Sequence, residues 1–125
     1  MANEISVLIN FTVTNGNFSD VFQPATQTIN QAAQGFHGPM VTVGTTQEYI
    51  PTGDIGTMGW FCGRNLDAAN FVTVGVSTGS TGSAMTAYGR IEAGESFAYR
   101  VEPGANLAWK ADTSAVKVQM KLHED

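Results

Sequence analysis

Val116-Lys117-Val118-Gln119-Met120-Lys121-Leu122-His123 alternates apolar and polar side chains without a break. Successive residues of a strand point to opposite faces. This period of two therefore predicts a half-buried β-strand with Val116, Val118, Met120 and Leu122 on the covered side. Similar runs recur along the chain between Gly, Asn, Asp and Pro turns, and no segment carries the 3.6-residue period of an amphipathic helix.

Moving back from that strand, Leu107–Ala111, Ser96–Val101, Ala84–Ile91, Phe71–Val76 and Gly59–Leu66 each read as strands. Asp67-Ala68-Ala69-Asn70 and Glu92-Ala93-Gly94-Glu95 turn between them, and the glycines of 59–66 permit close packing. Ser77–Ser83 is small and polar, a loop. Gln47–Ile50 and Met40–Gly44, with Val41 and Val43 inward, are shorter strands. The pattern weakens over Asn17–Pro39, where Thr26–Ala33 reads as a strand, with Thr28, Asn30 and Ala32 on one face, in preference to a short helical turn. The N-terminal run Ile5, Val7, Ile9, Phe11, Val13 predicts one continuous first strand, ended by the turn dipeptide Asn15-Gly16. Nine or ten short strands with turns every 8–12 residues predict an all-β, single-domain antiparallel β-sandwich over residues 1–125, jelly-roll-like in topology.

A chain of 125 residues buries enough surface to fold without a disulfide or a metal. Cys62 is the sole cysteine, so no intrachain bridge forms, and its apolar neighbours predict a buried thiol. Met1-Ala2-Asn3-Glu4 lacks the basic flank of a secretory leader, and no apolar run reaches a membrane span; folding in a cytoplasm is expected. The net charge of -5 is unevenly spread. Arg64, Arg90, Arg100, Lys110, Lys117 and Lys121 all lie in the second half, whereas the side-chain charges before Arg64 are Glu4, Asp20, Glu48 and Asp54. The sequence offers no basic cluster of the kind that displaces counterions from nucleic acid, so neither DNA nor RNA is the expected partner.

The chain offers few groups for chemistry. His37 and His123 have no Gly-x-Ser-x-Gly elbow to serve, and their spacing gives no metal set with nearby carboxylates. Glu92 and Glu95 bracket a turn, where carboxylates are ordinarily hydrated, rather than flank a substrate. Gly79-Ser80-Thr81-Gly82-Ser83 lacks the lysine and the following helix of a phosphate loop. Trp60, Trp109 and Tyr99 are candidates for stacking on sugar rings, although Trp109 shares its face with Leu107 and Ala111, which favours the core. The expectation is a protein that is not an enzyme and that uses no cofactor or metal. Phe18, Phe22 and Phe36, set among Gln, Asn, Thr and Gly, are either plugs at an open end of the sandwich or anchors of a protein interface with a polar rim. The cation-free first half, set against a second half holding every cation, also suits head-to-tail matching between copies.

Several segments taken together carry a resemblance. They are Asn30-Gln31-Ala32-Ala33, Val41-Thr42-Val43-Gly44-Thr45-Thr46 and Gly59-Trp60-Phe61-Cys62-Gly63-Arg64-Asn65-Leu66-Asp67. Asn70-Phe71-Val72-Thr73-Val74-Gly75, Gly89-Arg90-Ile91-Glu92-Ala93-Gly94-Glu95, Ala111-Asp112-Thr113 and Glu124-Asp125 continue the series. In pattern and order over residues 26–125 the chain resembles small virion-associated proteins encoded in the structural gene clusters of tailed bacteriophages. The resemblance implies a structural β protein of the phage particle and brings no catalytic residues with it. It further implies a capsid cement or decoration protein that forms trimers or dimers, binds the major capsid protein and braces joints between capsomers. A neck, tail or baseplate protein and a carbohydrate-binding module for host attachment are the alternatives. The expected location is the virion, with no membrane partner.

Overall fold

The covered side of the C-terminal strand is the centre of the molecule's main core. In the computed structural model, which describes residues 4–78 and 84–125, β13 (Val116–Glu124) buries Val116, Val118, Met120 and Leu122 completely. The described residues are all-β, with thirteen strands, no helix and antiparallel pairing throughout. They fall into two units, 1–32 and 33–125.

The larger unit holds nine of these strands. They are β5 (Phe36–His37), β6 (Met40–Val43), β7 (Glu48–Tyr49), β8 (Met58–Asn65), β9 (Val72–Ser77), β10 (Met85–Ile91), β11 (Ser96–Arg100), β12 (Leu107–Ala111) and β13. One sheet runs β11-β8-β13, with β5 and β6 both pairing β13 on its far side. The other runs β10-β9-β12-β7. Buried side chains of both sheets join one core: Val43, Phe61, Val118 and Met120 from the first, Val72, Val74, Ile91 and Trp109 from the second. Phe61 and Trp109 meet there with ring centroids 6.3 Å apart.

The pairings from β6 to β13 are nested. β9 pairs β10, β8 pairs β11, β7 pairs β12 and β6 pairs β13. The stretch is therefore one long antiparallel hairpin, and β9–β12 and β8–β13 pairings close the two sheets. Local sequence explains its joints. Asn65 is fully buried, yet its Nδ2 donates to Asn70 O (2.9 Å) and Ile91 O (3.2 Å), while its Oδ1 accepts from Asp67 N (2.9 Å). Asp67 Oδ1 in turn accepts from Ala69 N and Asn70 N, which builds the turn between β8 and β9. Gly63 sits where a Cβ would collide with the Gln119 carbonyl, so the close β8–β13 spacing requires glycine. At the C-terminus, Glu124 accepts from Gly35 N (3.0 Å) and Gly56 N (2.6 Å), fastening two loops to β13.

The smaller unit consists of two ladders. β1 (Ile5–Val7) pairs β4 (Gln27–Ile29), and β2 (Phe11–Asn15) pairs β3 (Phe18–Phe22). The single first strand expected over Ile5–Val13 is thus two strands. They take different partners, so the chain must break between them, and Leu8 and Ile9 at the break are exposed. β3 and β5 arise in the weakly patterned stretch, and the extended run expected over Thr26–Ala33 contracts to Gln27–Ile29. Of the loop expected over Ser77–Ser83, Ser77 is instead the buried last residue of β9, and residues 79–83 lie outside the described residues.

Candidate protein interface

The turn at Asn15-Gly16 sets the geometry of the N-terminal hairpin. Gly16 takes a φ of 57°, the left-handed value that two-residue hairpin turns demand of their first residue. Such a turn places Asn15 opposite Phe18, and the register then pairs Val13 with Asp20 and Phe11 with Phe22. Alternation puts all six side chains on one face. Beyond the strands, Gln23 Nε2 donates to Asn10 Oδ1 at 2.7 Å and ties the hairpin's base.

That face is open. Phe11, Phe18 and Phe22 are 57%, 60% and 56% exposed, and none of the described residues of 4–32 is buried. A two-stranded ribbon is marginal in water by itself, and aromatic side chains on an uncovered face gain nothing from burial. Of the interface residues expected from sequence, Phe18 and Phe22 therefore stand on one face of one hairpin. Phe36 belongs to the larger unit: it is also 56% exposed, lies opposite His123 on β13 with ring centroids 5.0 Å apart, and folds over Gly38. Phe11 escapes the sequence reading because the alternation from Ile5 assigns it to a continuous covered strand. Counting back from the Asn15-Gly16 turn would have paired it with Phe22.

The larger unit presents a second surface, the outer face of the β11-β8-β13-β6 sheet. With Val118, Met120 and Leu122 inward, Lys117, Gln119, Lys121 and His123 point outward. The register places Arg64 beside Gln119, Cys62 beside Lys121, Trp60 beside Arg100 and Met40 beside Gln119. Cys62, Gly63, Arg64, Phe97, Gln119 and Lys121 line a shallow depression of about 350 Å³ on this sheet. Cys62 is half-buried on this outer face rather than within the core. Partial burial pushes its thiol pKa up, and nearby Lys121 opposes the shift; a raised pKa leaves little thiolate for nucleophilic chemistry.

The remaining residues singled out by chemistry have structural partners. Glu95 accepts from Glu92 N at 2.8 Å, so its carboxylate caps the β10–β11 turn. His37 lies against Gly53. Among the described residues no group of three His, Cys, Asp or Glu is placed to hold a metal ion. Of the three aromatics considered for sugar stacking, Trp109 is fully buried and Tyr99 packs against the core, which leaves Trp60 on the outer face. Tyr99 and Tyr88 meet hydroxyl to hydroxyl, rings edge to face at 5.8 Å, across the gap between β11 and β10. A register shift between Ala87 and Gly89 makes Tyr88 the extra residue of a bulge.

No family model, curated protein or solved structure matches the chain.

Proposed function

We propose that the chain is a non-enzymatic structural protein of a bacteriophage virion, in the role of a capsid cement or decoration protein that binds the shell and braces its capsomer joints. The observation that carries the reading is the N-terminal hairpin, whose three-phenylalanine face has no cover in a unit without a buried residue. Such an arm makes sense in a protein that completes its fold within an assembly. In this reading Phe18 and Phe22 are interface anchors and Phe11 joins them, while Phe36 lies at a second contact on the larger unit.

The larger unit is, on the same proposal, a β-sandwich wrapped as a jelly roll. Counting β6 to β13 as strands one to eight, the sheets run 1-8-3-6 and 2-7-4-5. A hairpin folded over on itself gives this order, and the architecture recurs in viral shells and in lectins. It supports a building block better than a catalyst, since Glu95 caps a turn, Asp67 builds another and Glu124 fastens two loops. The mechanism is thermodynamic. Each copy contributes a modest interface, and many seated copies resist internal pressure together.

The direct test adds purified chain to shells assembled from the major capsid protein encoded with it. Saturable binding at a fixed ratio to shell subunits, with a rise in the shell's melting temperature, is the expected result. Chain that leaves the shells unbound and unstabilised contradicts the cement role, and binding to isolated necks or tails instead would move it to that part of the particle.

A further inference from the structure

We infer that the N-terminal hairpin of one copy packs on the outer face of the β11-β8-β13-β6 sheet of a second copy. The inference rests on the hairpin's reading as a protein interface, and it names the partner as the same chain.

Charge makes the match. Four of the chain's six Lys and Arg residues, Arg64, Arg100, Lys117 and Lys121, lie on that one sheet face. All four are exposed, Arg100 already in an ion pair with Asp125, and the face also shows Met40 (61% exposed) and Phe36 (56%) along its β5–β6 side. The hairpin has the complementary character. It carries no cation, and Asp20 stands between Phe18 and Phe22 along β3, on the same face as both. Seating it would bring one carboxylate and three aromatic rings to a surface of cations and large apolar side chains, a combination that favours both steering and burial. Arginine guanidinium groups also stack on aromatic faces, as Arg90 already does on Phe71 at 3.8 Å within this chain.

Size is consistent as well. Each hairpin strand has five residues, about 17 Å of extended chain, and four adjacent strands span about 15 Å. A two-stranded ribbon laid across the strands therefore spans the receiving sheet from edge to edge. The contact joins two different patches, arm to sheet, so copies associate head to tail and form a ring where the rotation between them closes.

The test is a charge exchange read by sedimentation equilibrium on the full chain. Wild-type protein should self-associate below about 0.1 mM. Asp20→Lys alone, and Lys117→Glu/Lys121→Glu alone, should each weaken association about tenfold or more by setting like charges against each other. Mixing the two variants in equal amounts should restore assembly, because each supplies the complement the other has lost. All three positions are exposed, and an unchanged near-ultraviolet signal from buried Trp109 checks that each variant stays folded. A wild-type chain that remains monomeric, or variants that associate like the wild type, would overturn the inference. Counting the chain in purified particles separates this result from the reading beneath it. Self-association with no copies in particles keeps the arm exchange and removes the virion role; a monomer counted in particles does the reverse, and leaves the hairpin to another particle protein.

Discussion

Asn65 shows how a single side chain holds the larger unit in register. It is a fully buried amide whose donor and acceptor sides are both used, on Asn70, Ile91 and Asp67. Replacing it with Leu leaves those backbone groups without a partner, and each buried polar group so stranded costs about 1–3 kcal/mol. Asn65→Leu is expected to lose about 3 kcal/mol or more in urea denaturation. Asp67 makes the linked prediction in pH. Backbone N–H groups of Asn70 first, then Ala69, hold its carboxyl below the ordinary value of 3.8. A depressed pKa contributes stability that is present above that value and lost as pH falls through the lower folded one. Asp67→Asn should therefore flatten the acid limb of the stability curve below about pH 4. Gly63 offers a steric test. Gly63→Ala drives a Cβ into the Gln119 carbonyl and should cost about 1–3 kcal/mol, whereas Gly44→Ala meets open space and should be near neutral. Of these positions, the sequence marks Gly63 as a close-packing glycine and 67–70 as a turn. The buried role of Asn65 is illegible there, because an Asn at a strand end reads as turn chemistry until its two carbonyl partners are seen.

At the scale of elements, the Tyr88–Tyr99 contact links β10 and β11, the end strands of the two sheets. Burial raises the pKa of both phenols above the ordinary 10.0, most strongly for Tyr99. A raised pKa means stability that is complete below pH 10 and declines as pH rises toward the folded values. Absorbance at alkaline pH should show Tyr88 and Tyr99 ionising late and together with unfolding; both titrating in the ordinary range with the fold intact would refute the contact. The strands themselves test the reading of β13. Val118→Asp buries an unpaired charge and should abolish cooperative folding. The longer strands β8, β9, β12 and β13 were readable because each packs a buried face against the core, which in β13 imposes an unbroken period of two. The N-terminal hairpin was readable only in part: alternation and the Asn15-Gly16 turn mark β2, but the break after Val7 and the wholly exposed return strand β3 leave no period to read. Register there comes from the turn at Gly16, and Phe11 goes unrecognised unless that turn is used to count. β5, two residues long, is too short to carry any period.

For the molecule as a whole, residues 33–125 hold a well-buried core, whereas none of the described residues of the N-terminal unit is fully buried. The energetics of the two differ accordingly. Phe18→Ser/Phe22→Ser should leave the unfolding transition of the larger unit in place while removing association with particle partners, because these rings contribute nothing to its core. Loss of that transition would return the phenylalanines to a folding role. The virion reading joins the uncovered arm, the nested strand order and the resemblance over residues 26–125, and it makes a numerical demand. Copy number per particle, measured by quantitative mass spectrometry of the virions that this reading requires the chain to belong to, tests it most directly. The account predicts copies on the order of hundreds, in a simple ratio to the major shell protein. A dozen or fewer would place the chain in the neck, tail or baseplate, and its absence from purified particles would contradict the account.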